Sequence, residues 1–213
     1  MPILQTPRIT LIGAGSVGGF VGLLLAQIAR FKPMLLDVFD PDAVEAKNRI
    51  NQIYRDTHLD MPKVIALADI LHTHSSMDIR PLTDRADAAT PLVGIVISAV
   101  DSMQERINIF EAIRYNAGIT LYIDSRAGER LGVIYALDPR DTDQVEAYER
   151  YLHPDTSGAP APCAEPESNP FLFAMASAIV QLLQQHATTP LHRARKVLLN
   201  YQTAPIIQSS FLT

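Results

Sequence analysis

The chain has a single cysteine, Cys163, among its 213 residues. One thiol excludes an internal disulfide framework and any zinc site built on several cysteines. Charge is also sparse: charged residues make up 19%, the formal net charge is −5, and there is no long basic run. A nucleic acid would find no basic footprint here and is not the expected partner. Long hydrophobic runs are missing too. The longest, Phe20–Ile28, falls well short of the roughly 20 apolar residues that a membrane-crossing helix needs. Met1–Pro7 lacks the basic start and extended apolar core of a secretory signal. No internal repeat and no low-complexity tract interrupts the chain. What remains is the expectation of a soluble, cytoplasmic globular protein. Its hydrophobic content of 47% is enough to build one large domain around its own core.

The most informative stretch is Arg8–Asp42. Arg8-Ile9-Thr10-Leu11-Ile12 is short, apolar and β-branched, as a buried parallel strand requires. Gly13-Ala14-Gly15-Ser16-Val17-Gly18 follows at once, then an apolar helix over Phe20–Phe31 that Pro33 stops. Met34–Asp40 reads as a second strand. A glycine turn between strand and helix lets the backbone approach a phosphate, and the helix start offers unpaired N–H groups and a positive dipole end. An acid at the end of the second strand can accept hydrogen bonds from ribose hydroxyls. The order strand, glycine turn, helix, strand, acid therefore points to a nucleotide. A turn serving only helix–strand packing is the competing reading.

Further along, Asp42 reads as a helix cap, and Asn48–Thr57 as a short irregular helix. Asp60 reads as the cap of a helix that has Pro62 in its first turn and runs to about His72. Ser76–Leu82 is a candidate strand and Thr83–Pro91 a surface loop. Leu92–Val100 is the clearest central strand, followed by a helix over Met103–Asn116 that Gly118 closes. Ile119–Ile123 and Leu131–Leu137 read as an antiparallel hairpin around a turn at Asp124–Arg130. Thr142–Leu152 reads as a polar helix. Proline-rich His153–Pro170 is a candidate lid or crossover, ended by Pro170. Phe171–Gln185 is an apolar helix for the sheet or a dimer interface, and Arg193–Gln202 a last, edge-like strand. The expected architecture is α/β, Rossmann-like and three-layered, a mostly parallel sheet with antiparallel C-terminal strands. One nucleotide-binding domain spans residues 1–213, with 153–170 as its irregular segment.

Four motifs, in order, make the chain resemble the ThiF/MoeB/HesA group, bacterial relatives of ubiquitin-activating enzymes. Ile9–Gly18 is similar to that group's nucleotide loop. Asp40-Pro41-Asp42-Ala43-Val44, with Asn48 and Gln52, is similar to its acidic strand end and asparagine/arginine/glutamine motif. Pro62-Lys63 opens a helix, and Ser98-Ala99-Val100-Asp101 precedes a helix carrying Arg106 and Asn108. The resemblance implies that Mg²⁺ and ATP adenylate the C-terminal glycine carboxylate of a ubiquitin-like or sulfur-carrier protein, releasing pyrophosphate. It implies that Gly13, Gly15, Gly18, Asp40, Asp42, Asn48, Gln52 and Lys63 bind the nucleotide. Asp40 would take the ribose, Asn48 and Lys63 the phosphates, and Asp101 the Mg²⁺. Lys63, Asp101 and Asn48 would carry catalysis. With the apolar helix Phe171–Gln185, the resemblance also suggests a homodimer.

Several readings stay open at this level. Counting from Gly13 without a gap lands on Asp37 as the ribose acid. Lys63 is either a phosphate ligand or a solvated lysine, and Asp101 a metal ligand or a helix cap. Arg106 either reaches the site or pairs with Glu105 or Asp101. Asn51 stands where the family motif has an arginine. Arg49 and Arg55 lie nearby but out of register, and Arg8 is a poor substitute for the arginine expected from an N-terminal extension. Cys163 is either an ordinary loop thiol or a thioester acceptor, a role to which Glu165 and Glu167 are unhelpful. The six histidines show no metal-ligand spacing, and His72 and His74 read as solvated. Besides adenylation, a catalytically weak or inactive ATP-binding scaffold and an NAD(P)-dependent oxidoreductase remain in play.

Overall fold

Five α-helices and eight strands follow one another among the described residues of the computed structural model, which are 6–128, 131–153, 169–189, 191–201 and 206–212. They are β1 (Arg8–Ile12), α1 (Ser16–Ala29), β2 (Leu35–Phe39), α2 (Lys63–His72), β3 (Asp78–Leu82), β4 (Gly94–Ser98) and α3 (Met103–Ile113). After these come β5 (Ile119–Ala127), β6 (Leu131–Leu137), α4 (Thr142–Glu149), α5 (Asn169–Thr188), β7 (Arg195–Asn200) and β8 (Ile206–Phe211). The strands form one eight-stranded sheet in the order β3-β2-β1-β4-β5-β6-β7-β8. Pairings from β3 through β5 are parallel, and those from β5 through β8 are antiparallel. This is the expected Rossmann-like, three-layer class.

Two cores sit on opposite faces of the sheet because strand side chains alternate. Leu11, Ile97, Ile123 and Ile134 face α1, α2 and α5. Ile12, Val96, Tyr122 and Tyr135 face α3 and α4. Helix α5 lies against α1, β5 and β6, so its buried face (Leu172, Met175, Ala176, Ile179) is spent on this sheet. Strand order reverses at β1, with β2 on one side and β4 on the other. Ligands of open α/β sheets bind at such a switch point, outside the carboxyl ends of the strands.

Local corrections follow from side-chain pairing. Helix α1 starts at Ser16, not Phe20, because Gly13 alone makes the left-handed turn at φ 96°. Asp42 caps no helix: the next turn, Ala46–Arg49, is closed by the Asn48 side chain, which accepts the Glu45 N–H at 2.8 Å. Asp60 is not the cap of α2 either; it sits at φ 64°, and Pro62 takes the N-cap position. Gly118 does not close α3: Tyr115 takes the left-handed backbone, and the Asn116 amide donates to the Ala112 carbonyl at 3.1 Å. Asp124–Arg126 is strand, not turn, because a buried network neutralises its charges. Pro170 lies in the first turn of α5, where its missing N–H is harmless. Arg195–Asn200 is not the edge; β8 follows it. The candidate lid falls on residues 154–168, outside the described residues, apart from its ends.

Candidate functional site

Three glycines of the loop after β1 have three different roles. Gly13 makes the turn, and its N–H donates to the Phe39 carbonyl at 2.8 Å. Gly18 lies inside α1, where a Cβ would stand 1.9 Å from the Gly13 carbonyl oxygen. Gly15 is the N-cap of α1, no side chain caps it, and a Cβ added there would meet nothing within 4 Å. The first turn of a helix carries N–H groups with no intrahelical partner, and their dipole end favours an anion. Open space in front of an uncapped helix start suits a phosphate.

Asp40 stands at the carboxyl end of β2, 6% exposed. Its carboxylate accepts the Ala14 N–H at 2.7 Å and the Asp42 N–H at 2.9 Å, joining the strand end to the glycine loop. Burial raises its pKa above the ordinary carboxylate value, and the nearby Lys63 charge only partly opposes this. The consequence for stability has a definite sign. A carboxyl whose folded pKa is raised binds more protons in the native than in the unfolded state, so its contribution falls as pH rises from about 4 through that raised pKa. Denaturant unfolding of wild type and Asp40→Asn across pH 4–7 should therefore show wild type losing ground to the variant as pH rises.

Lys63 opens α2, against the dipole rule for cations. Its Nζ lies 2.8 Å from the Asp42 carboxylate, and its backbone N–H donates to the Asp42 carbonyl at 2.8 Å. The lysine side chain is 10% exposed and the aspartate side chain 57%. Lys63 is thus no solvated lysine. The Lys63 ammonium is bonded to the Asp42 carboxylate, and its charge also acts on buried Asp40. Tyr54, which carries no motif of its own in the sequence, completes this corner. The Tyr54 hydroxyl donates to the Ala14 carbonyl at 2.5 Å and lies 3.3 Å from the Lys63 carbonyl. It pins the glycine loop to the start of α2, and burial pushes its phenol far up. Only its spacing, nine residues before Lys63, could have marked it.

Asn48 is buried, and its Oδ1 is occupied by the Glu45 N–H. Gln52 is partly buried, with an Oε1 that finds no partner among the described residues. Asn51, at the position of the expected arginine, is 7% exposed and belongs to the interior. Arg49 pairs with Asp56, and Arg55 is exposed. Asp37 is held in mid-strand by Arg8 at 2.7 Å and by Arg80 at 2.9 Å. It lines a cavity of about 360 Å³ with Thr10, Phe39, Arg80 and Leu82, further down the sheet.

Asp101 lies just beyond β4, exposed. It does not cap α3, since the Ser102 hydroxyl accepts the Glu105 N–H at 3.4 Å. Its carboxylate is a hard oxygen donor at the same edge of the sheet as the glycine loop. Arg106 pairs with neither Glu105 nor Asp101: it is buried against Asp124 at 3.0 Å, and Glu105 pairs with Arg85. Asn108 is exposed on α3 and accepts the Gln104 amide at 3.0 Å. His72 is exposed, His74 bonds Gln27 at 3.0 Å, and His58 is buried beside Asp69 at 3.3 Å. Cys163, Glu165 and Glu167 lie outside the described residues. Among the described residues, no helix is long and apolar enough to cross a membrane.

The model of the ThiF family matches residues 3–208. Solved structures share the fold at low identity. The crystal structure of PaaA superposes with a TM-score of 0.70 at 17% identity, covering 98% of this chain and 64% of PaaA. E. coli MccB superposes with a TM-score of 0.71 at 15% identity, covering 98% of this chain and 63% of MccB. MccB solved with ATP gives 0.70 at 14% identity, covering 98% and 65%. This chain therefore spans a little under two thirds of the length of these proteins. No curated protein matches it.

Proposed function

The chain belongs to the ThiF family, and from that premise we propose that it is an ATP-dependent adenylyltransferase acting on the C-terminal carboxylate of a polypeptide. The observation that carries this reading is the open, uncapped start of α1 behind Gly15, with Asp40 bonded to the loop at the Ala14 N–H and Lys63 bonded to Asp42, whose own N–H Asp40 holds. The phosphates would lie on the first turn of α1, with Lys63 as counter-ion and Asn48 and Gln52 beside them. Asp40 would orient the ribose and Asp42 hold Lys63 in register. Mg²⁺ bound by Asp101 and phosphate oxygens would supply charge neutralisation at the α-phosphate. The carboxylate oxygen attacks the α-phosphorus, the bond to the bridging oxygen breaks, and pyrophosphate departs with that electron pair. Fixed donors and cations are needed because two anions must meet.

MccB has been solved with ATP and with MccA. By that likeness, and by the family resemblance, the substrate would be a polypeptide end: the C-terminal glycine of a ubiquitin-like or sulfur-carrier protein. A homodimer belongs to the same proposal. A second reading, a nucleotide-binding scaffold with weak catalysis, is favoured by one observation: buried Asn51 leaves the motif arginine without a substitute in register.

ATP–pyrophosphate exchange, with a ubiquitin-like protein ending in Gly-Gly, tests the first reading. Calorimetry of Mg-ATP runs on the same sample, with NAD as a control. Exchange supports the enzyme. Tight ATP binding without exchange across several such proteins supports the scaffold, and a preference for NAD overturns both. Lys63→Ala is expected to weaken ATP binding about ten- to a hundredfold, the worth of one or two charge-assisted hydrogen bonds.

A further inference from the structure

Asp124 is fully buried in β5. A carboxylate there is costly unless every lone pair is used. Its Oδ1 accepts the Arg106 Nε–H at 3.0 Å, and its Oδ2 accepts from Arg126 Nε at 2.9 Å and from the Tyr148 hydroxyl at 3.0 Å. Arg106, 4% exposed, does more than neutralise it. A terminal nitrogen of the same guanidinium donates to the Val100 carbonyl and, at 2.9 Å, to the Ser125 carbonyl. One buried cation thus ties β5 to the residue immediately before Asp101.

We propose that Asp124 is a positioning residue for Asp101: it orients Arg106, whose guanidinium fixes the Val100 carbonyl and with it the direction of the Asp101 carboxylate. This rests on the proposed role of Asp101 toward Mg²⁺. The peptide joining Val100 to Asp101 is planar, so an anchored carbonyl sets the plane from which Asp101 departs. Mg²⁺ demands near-ideal octahedral geometry at about 2.0–2.1 Å, so a ligand on an unanchored connection would bind it poorly. The helix cap does not supply the anchor, since Ser102 holds α3 and leaves the Val100 carbonyl to Arg106.

The test is calorimetry of a non-hydrolysable ATP analogue in excess Mg²⁺ and in EDTA, on folded protein. The readout is the ratio of the two affinities, which a general loss of stability does not move. Asp124→Asn and Arg106→Lys are expected to keep the EDTA affinity and to lower the Mg²⁺-dependent tightening about ten- to a hundredfold, as when a metal ligand loses its support. Arg106→Lys keeps the buried charge and carries the test if Asp124→Asn does not fold. Tyr148→Phe removes a bond to the same carboxylate but not the arm to Val100, and is expected to keep the wild-type ratio. The inference is overturned if Asp124→Asn or Arg106→Lys retains the ratio, or if Tyr148→Phe loses it equally. Failure of the underlying reading looks different: wild type itself then gains nothing from Mg²⁺, and both fall.

Discussion

Replacing Asp101 by alanine is expected to slow pyrophosphate exchange by about two to three orders of magnitude, the loss of a few kcal/mol of transition-state stabilisation. The fold should barely notice. Asp101 is exposed and caps nothing, because the α3 cap belongs to Ser102. A surface change of this kind stays within about 0.5 kcal/mol of wild-type stability. Binding of ATP in EDTA should also survive, since the glycine loop, Asp40 and Lys63 are untouched. Exchange rates at saturating ATP, a Mg²⁺ titration and a thermal scan on one preparation check all three statements. Unchanged exchange in a protein that catalyses it would remove Asp101 from the site.

The second large effect separates the two meanings of a glycine turn. Gly18→Ala places a Cβ 1.9 Å from the Gly13 carbonyl oxygen, far inside any real contact. Relief requires α1 to move away from the loop that follows β1. The cost should be about 3–5 kcal/mol, the range of severe steric changes, which lowers Tm by roughly 10 °C in a chain of this size. Gly15→Ala is the counterpart. Its new methyl meets nothing within 4 Å and its backbone is ordinary, so stability should stay within about 1 kcal/mol. ATP affinity should nevertheless fall, because the methyl occupies the space where phosphates would meet the helix start. If Gly15→Ala binds ATP like wild type, the turn serves packing alone.

Much of the parallel half was legible in the chain itself. The strands around Leu11, Val38 and Ile97 are short, mostly apolar runs between turn signals, as buried parallel strands require. The order of glycine turn, acid, Pro62-Lys63 and Asp101 likewise placed the candidate site at one edge of the sheet before any side chain had a position. Boundaries failed where tertiary partners override local preference. Asp124, Ser125 and Arg126 read as a turn by composition, yet Arg106 and Tyr148 turn them into buried strand. Strand β8 was missed because its side chains are largely exposed, so hydrophobic alternation had nothing to report.

Sequence by itself determined the layer order, the glycine turn and the identity of the charged groups, because these depend on local periodicity and on chemistry that residues carry with them. Which charge meets which was decided only by the tertiary structure. Asp37 and Asp40 are three residues apart and compete as ribose acids in the sequence, where only the match of Asp40-Pro41-Asp42-Ala43-Val44 to the family motif favours Asp40. Mid-strand position gives Asp37 to Arg8 and Arg80, whereas the strand end gives Asp40 the N–H of Ala14. Arg106 shows the same division. Its spacing from Asp101 is plain in the sequence, but only the packing of α3 against β5 carries its guanidinium into the interior, where a buried carboxylate outcompetes every exposed partner.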